Sequence, residues 1–178
     1  MNFPNILSIS RILLLLPIII FFEKNLYLFS TLFFLIASIT DYFDGYFARK
    51  NNQVTSLGVL LDLLADKIFV SVILIWMVFN FGNIFILLSS IFIVCREIIV
   101  SYVRLYFVSK SLDSIEVKSD IFGKIKTTFQ MISLGLILIS PLFNYLVYSF
   151  SITLLCLSAF FSWFSLFKYI KNWNEYQN

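Results

Sequence analysis

Four aspartates stand close together in an otherwise apolar part of the chain: Asp41, Asp44, Asp62 and Asp66. The first two are spaced i, i+3 and the last two i, i+4, so each pair shares one face if its segment is helical. The chain has no histidine, so metal binding and proton transfer fall to carboxylates. Such oxygen ligands suit hard divalent ions like Mg²⁺ or Mn²⁺. Carboxylates that bridge two such ions are a known arrangement for displacement at phosphorus.

These carboxylates belong to a chain whose composition excludes a soluble fold. Of its 178 residues, 60% are hydrophobic and 13% are charged, and the mean hydropathy is +0.93. A soluble domain of this size has too little interior to cover so much apolar surface, so the composition predicts an integral membrane protein. The apolar runs lack the alternation of barrel strands. Helices satisfy their own backbone groups in lipid, so the predicted fold class is all-α.

The apolar runs predict six transmembrane helices, with a short interfacial helix at the N-terminus that leads into the first. A spanning helix needs about 20 apolar residues, and the predicted spans are 11–22, 26–49, 57–80, 83–108, 121–140 and 144–168. Six spans place both termini on the same side of the membrane. No repeat, linker or low-complexity tract divides the chain, so residues 1–178 are predicted to form a single membrane domain.

The distribution of basic residues predicts which side the termini face. Most lysines and arginines lie near the connections after spans two and four or in the C-terminal segment. The opposite connections read EKN, NFGN and SPLFNY and hold one lysine. Because positive loops stay in the cytoplasm, both termini and the connection between spans two and three are predicted to be cytoplasmic. The prediction is therefore a multi-pass inner-membrane protein whose polar site faces the cytoplasm.

The four aspartates are predicted to lie at matching depths in the cytoplasmic half of the bilayer. At ~1.5 Å per residue, Asp44 and Asp62 lie about 9 Å inside their spans, and Asp41 and Asp66 lie one turn deeper. Burying four uncompensated carboxylates would cost about 10 kcal/mol, and their mutual repulsion is strong in a low dielectric. A single membrane aspartate often only packs helices or relays protons. Four at one depth favour a site that binds cations.

Residues 41–66 also carry a longer pattern, Asp-x₂-Asp-Gly-x₂-Ala-Arg-x₈-Gly-x₃-Asp-x₃-Asp. This pattern resembles, position for position, the defining motif of the CDP-alcohol phosphatidyltransferases. Members of that family are six-helix membrane enzymes and are commonly homodimers. The resemblance implies an enzyme that transfers the phosphatidyl group of CDP-diacylglycerol to an alcohol.

The resemblance also implies a role for each matching residue. Asp41, Asp44 and Asp62 would bind one divalent ion, and Asp41, Asp62 and Asp66 would reach a second. Asp66 would in addition act as the general base on the acceptor hydroxyl. Small residues would leave room for the nucleotide, and an arginine would contact its phosphates. The CDP-binding set implied in this way is Asn5, Gly45, Ala48, Arg49 and Gly58.

Blocks outside this motif resemble the bacterial subfamily of phosphatidylglycerophosphate synthases, whose acceptor is glycerol 3-phosphate. The blocks read NFPNILSISRILLLLP, LADKIFV, REIIVSYVRL and GKIKTTFQM, and they are distributed along residues 2–131. The subfamily usually has a proline after the third aspartate, where this chain has Leu63. That difference affects helix flexibility beside Asp62 and removes no ligand.

Basic residues in the later spans are candidates for binding an acceptor phosphate. Arg96 and Arg104 are eight residues apart, about 80° around a helix, so both can face one cavity. Lys124 and Lys126 open the fifth span on the same side. A phosphorylated acceptor would explain this convergence, whereas ordinary headgroup contacts are the alternative. Glu97 is expected to orient Arg96.

Two other functions remain open at this point. Within the family, the acceptor could be phosphatidylglycerol, inositol phosphate or serine. Outside it, the aspartates could line the path of a divalent-cation or proton-coupled transporter. The predicted partners are CDP-diacylglycerol, glycerol 3-phosphate, the lipid bilayer and a second copy of the chain, and no nucleic acid.

Overall fold

The computed structural model describes the backbone of residues 3–50, 56–109 and 121–177, and the side chains of residues 9–40, 64–103, 123–168 and 170. The regular secondary structure of those residues is all helical, in agreement with the predicted class. The helices are α1 Phe3–Glu23, α2 Tyr27–Lys50, α3 Ser56–Phe81, α4 Ile84–Ser109, α5 Ile121–Ile139 and α6 Tyr145–Gln177. A 3₁₀ turn, Ser140–Leu142, joins α5 to α6.

The four middle helices begin and end within one residue of the predicted spans 26–49, 57–80, 83–108 and 121–140. The first and last helices, α1 and α6, are longer than the predicted spans. The expected interfacial segment and first span form one continuous helix, α1, which contains Pro17. Helix α6 continues past the predicted end at residue 168 to Gln177.

The short connections on one side of the bundle explain where helices stop. Asn25 has a φ of 60° and Gly82 a φ of 56°, a left-handed conformation that glycine and asparagine adopt most easily. The backbone N–H of Gly82 donates to the carbonyl of Val78 at 3.1 Å and so closes α3. The Asn83 side chain accepts a hydrogen bond from the N–H of Phe85 at 2.9 Å, which is an N-terminal cap for α4.

The main contacts between the helices form a closed ring. Helix α1 packs against α2 and α3, α3 against α4, α4 against α6, α6 against α5, and α5 against α2. Each helix therefore has two principal neighbours, and the chain order differs from the order around the ring. As a result, residues on α3, α4, α5 and α6 that are far apart in the sequence come together.

Apolar side chains fill the middle of this ring. Phe34 on α2 stacks on Phe69 on α3 with ring centroids 5.9 Å apart, and both are 1% exposed. A Cβ built on Gly135 of α5 would lie 3.5 Å from Phe34. Other fully buried apolar side chains of α3 and α5 are Ile73, Leu74, Met77, Leu134 and Leu138. The interior is a packed core.

Serine hydroxyls hold neighbouring helices close within this apolar bundle. Ser30 on α2 donates to the carbonyl of Ile18 on α1 at 2.7 Å, and Ser133 on α5 donates to the carbonyl of Ser151 on α6 at 2.8 Å. Association of helices in lipid depends on close packing and such interhelical hydrogen bonds.

Four segments of the described residues are long and apolar enough to cross a membrane. They are Leu64–Phe81, Ile84–Val103, Gly123–Leu142 and Tyr145–Lys168. The described apolar part of α2, Tyr27–Thr40, is shorter. The protein is accordingly an all-helical chain with the composition of a multi-pass membrane protein.

Candidate active site

Two continuous helices carry the four predicted metal-binding aspartates. Helix α2 runs unbroken to Lys50 and α3 runs unbroken from Ser56, so the i, i+3 and i, i+4 spacings place each pair on one helix face. Leu63 lies within α3. Leucine has a backbone N–H that can donate a helical hydrogen bond, which proline lacks.

Several predicted site residues have side chains outside the described part of the structure. They are Asn5, Asp41, Asp44, Gly45, Ala48, Arg49, Gly58, Asp62 and Arg104.

Asp66 is the member of the aspartate set whose side chain the structure describes. Its Oδ1 forms an ion pair with Nη1 of Arg11 from α1. Arg11 is 1% exposed, whereas the Asp66 side chain is 45% exposed. The guanidinium therefore lies within the bundle, while the carboxylate that it holds is nearly half exposed.

A second charged cluster lies between α4 and α5. Oε1 of Glu97 accepts a hydrogen bond from Nη1 of Arg96 at 3.1 Å and pairs with Nζ of Lys126. Arg96 is 8% exposed and Lys126 5% exposed, while the Glu97 side chain is 24% exposed. One carboxylate oxygen thus bridges two buried cations on α4 and α5, two helices that α6 separates in the ring. We call Arg96, Glu97 and Lys126 the cation cluster.

The two remaining helices of this region also contact the cation cluster. From α3, Nζ of Lys67 donates to the backbone carbonyl of Glu97 at 3.4 Å. From α6, the carbonyl of Ser162 accepts from Nε of Arg96 at 3.2 Å, and the hydroxyl of Ser158 donates to the carbonyl of Lys126 at 3.0 Å. Four helices therefore fix the positions of the cluster's side chains and backbone.

The structure separates Lys124 from Lys126. Residues two apart on a helix are about 200° apart around its axis, and Lys124 is exposed whereas Lys126 is buried. Among the predicted acceptor residues with described side chains, Arg96 and Lys126 come together and Lys124 points elsewhere.

Three residues of these clusters were not among the predicted site residues: Arg11, Lys67 and Glu97. Arg11 matched a family block without an assigned role, and its partner lies 55 residues away, so no local spacing connects the two. Glu97 was expected to orient Arg96, and it does contact it. Its bridge to Lys126 depends on how α4 and α5 lie relative to each other. The sequence signal that could have identified Glu97 as a site residue is its position beside Arg96 in an apolar helix, because charged residues inside membrane helices usually have a function.

The aspartates fit a divalent metal by the chemistry of their donors. Carboxylate oxygens without histidine or cysteine suit Mg²⁺ or Mn²⁺, and the unbroken helix α3 keeps Asp62 one turn from Asp66. Among the described side chains, no group of three His, Cys, Asp or Glu residues could hold a metal ion. Asp41, Asp44 and Asp62 are outside that set.

Comparison with known proteins defines the class to which this fold and these residues belong. The family profile described as CDP-alcohol phosphatidyltransferase matches residues 1–167, so the chain belongs to that family, whose members generally depend on a divalent metal. Similar proteins named CDP-diacylglycerol–glycerol-3-phosphate 3-phosphatidyltransferase occur in several bacteria. The one from Wigglesworthia glossinidia brevipalpis is 31% identical, over 95% of this chain and 93% of its own length. The one from Rickettsia felis is 33% identical, over 98% and 97%.

Proposed function

We propose that this protein transfers the phosphatidyl group of CDP-diacylglycerol to glycerol 3-phosphate, giving phosphatidylglycerol phosphate and CMP. Family membership supports the reaction type. The names of relatives that match nearly the full chain support this donor and this acceptor.

The observation that carries the proposal is the position of two consecutive residues on α3. Asp66 faces Arg11 of α1, and Lys67 reaches Glu97 in the cation cluster. The contact between Lys67 and the backbone carbonyl of Glu97 supports a phosphate site on the same side of α3 as the proposed base. In glycerol 3-phosphate the reacting hydroxyl and the phosphate are separated by only the short glycerol backbone. An acceptor with its phosphate at Arg96 and Lys126 would direct its hydroxyl towards the aspartates.

We assign the donor to the aspartate side of the site. Asp41, Asp44, Asp62 and Asp66 would hold two divalent ions, which when bound supply positive charge next to the pyrophosphate of CDP-diacylglycerol. Asn5, Gly45, Ala48, Arg49 and Gly58 would bind the CDP portion. These assignments rest on the motif, and the family's dependence on a divalent metal is consistent with them.

In the proposed mechanism Asp66 takes the proton from the primary hydroxyl of glycerol 3-phosphate. The hydroxyl oxygen then bonds to the phosphorus that carries diacylglycerol, and the bond from that phosphorus to the oxygen of CMP breaks. Arg11 holds the Asp66 carboxylate in place. Arg96 and Lys126 bind the acceptor phosphate by charge-assisted hydrogen bonds, which orients the hydroxyl for attack.

The alternative of an ion transporter is disfavoured by the packed interior. A path across the membrane would have to pass the apolar core that contains Phe34, Phe69 and Met77, each at most 1% exposed. An enzyme needs only a site open to one side and to the lipid, and a lipid donor explains why that site lies among apolar helices.

We infer six spans with both termini in the cytoplasm, a location in the inner membrane, and a homodimer as the assembled state. The basic segments around residues 49–50 and 104–126 support this orientation.

An acceptor panel tests the proposed function. Purified protein with Mg²⁺ and CDP-diacylglycerol is given glycerol 3-phosphate, phosphatidylglycerol, inositol phosphate or serine, and CMP release is measured. We expect turnover with glycerol 3-phosphate, its loss on chelation, and a loss of about 10²-fold or more in Asp66→Asn with CDP-diacylglycerol still bound. Turnover with a different acceptor alone would reject the proposed substrate, and full activity of Asp66→Asn would reject the assigned base.

A further inference from the structure

We propose that Glu97 is a positioning residue for the acceptor: its carboxylate holds Arg96 and Lys126 in the geometry that binds the acceptor's phosphate. The proposal rests on the proposed function and adds a residue outside the aspartate motif. It follows from one oxygen, Glu97 Oε1, that accepts hydrogen bonds from both cations.

The need for such a residue follows from burial. Arg96 and Lys126 are both more than nine-tenths buried and share a bonding partner. Two like charges this close repel each other strongly in a medium of low dielectric. Without an anion between them, one side chain would turn away from the other, and the pair would no longer be ready to bind a phosphate together.

The charge balance of the cation cluster favours binding of a further anion. Within the described residues, the single carboxylate of Glu97 faces two buried cations, so the cation cluster carries a net positive charge. A phosphate monoester carries about −1.5 to −2 at neutral pH and offers several acceptor oxygens. The Glu97 side chain is the most exposed of the three, at 24%, so the cluster is reached from the side on which that carboxylate lies.

Arg96 and Lys126 depend on Glu97 to different degrees, because only Arg96 also has a side-chain contact with a backbone carbonyl among the described residues. Arg96 is fixed at Nε by the Ser162 carbonyl, which leaves its terminal nitrogens to Glu97 and to a ligand. Lys126 has no comparable second anchor for its Nζ among the described residues. The position of the ammonium group therefore depends on Glu97.

The test compares the two substrates' kinetic constants in Glu97→Gln. Glutamine keeps the shape and one accepting oxygen but removes the charge. We expect the KM for glycerol 3-phosphate to rise about 10-fold, with kcat within about threefold and the KM for CDP-diacylglycerol unchanged. Glu97→Asp keeps the charge with a shorter reach and should give a KM between those of the wild type and Glu97→Gln. It also serves if the glutamine variant fails to accumulate.

Ser101→Ala is the matched control. Its hydroxyl donates to the backbone carbonyl of Glu97 at 2.6 Å and does not touch the carboxylate, so its KM values should stay at wild-type level. An unchanged KM for glycerol 3-phosphate in Glu97→Gln would overturn the proposal, as would an equal rise in both KM values, which indicates general damage. These failures differ from failure of the proposed function, in which the wild type itself would not use glycerol 3-phosphate.

Discussion

At the scale of single residues, the site is organised by ion pairs between helices. Arg11 neutralises Asp66, and Glu97 bridges Arg96 and Lys126. A charge within a membrane is costly unless it is paired or faces a polar site. These ion pairs therefore lower the cost of keeping charged groups in an apolar bundle. They also fix the orientation of the charged side chains, and a displacement reaction requires oriented groups.

The first residue-scale prediction concerns Arg11. In Arg11→Gln the Asp66 carboxylate loses its buried partner, so we expect kcat to fall at least 10-fold, which is about 1.4 kcal/mol of transition-state stabilisation. Steady-state CMP release with both substrates saturating measures this. Lys24→Gln is the control, because Lys24 is an exposed cation just beyond the end of the same helix. Wild-type kcat in Arg11→Gln would show that the ion pair does not position the base.

At the scale of helices, close approach of α2 and α5 determines how tightly the ring packs. Gly135 faces Phe34, and an added Cβ would meet the ring at 3.5 Å, an ordinary van der Waals distance. Larger side chains would have to displace Phe34, which stacks on Phe69.

We therefore predict opposite effects for two substitutions at this glycine. Gly135→Ala should be neutral or stabilising by up to about 1 kcal/mol, because alanine favours a helix over glycine. Gly135→Leu should destabilise by about 1–3 kcal/mol through overpacking. Thermal unfolding of the detergent-purified protein, followed by circular dichroism, compares them. If Gly135→Leu unfolds at the wild-type temperature, α2 and α5 do not pack as described.

The helix bounds could be predicted from the sequence far better than the packing. Apolar runs and turn residues such as Asn25 and Gly82 determine where helices end, so the predictions for α2 to α5 agree within one residue. The ring order could not be predicted, because lipid-facing and core-facing surfaces are both made of Leu, Ile and Phe. For the same reason the sequence indicated the aspartates and Arg96 but not the bridge from Glu97 to Lys126, which requires α4 and α5 to be placed in space.

At the scale of the whole molecule, the bundle has two different ends. One end has the tight connections at Asn25 and Gly82, where Glu23 accepts hydrogen bonds from Trp76 at 3.1 Å and Asn80 at 3.0 Å. The charged clusters lie towards the other end, where α3 and α5 begin. The proposed reaction would take place at that second end, beside the basic segments.

Cysteine accessibility tests the proposed orientation. In a background with Cys95 and Cys156 replaced by serine, Lys24→Cys and Asn144→Cys should react with an impermeant maleimide in intact cells. Asn52→Cys and Ser111→Cys should react only after the membrane is opened, because basic loops stay in the cytoplasm. The reverse pattern would place the aspartate site on the side of the membrane opposite the cytoplasm and would contradict the orientation.

The pairing of Arg11 with Asp66 also has a consequence for biosynthesis. The two residues are 55 positions apart, and a ribosome adds about 5–20 residues per second. Arg11 is therefore made several seconds before Asp66, and during that interval the arginine charge opposes full release of α1 into lipid. We therefore expect α1 to be retained beside the insertion machinery until α3 arrives, and the two helices to enter the bilayer together.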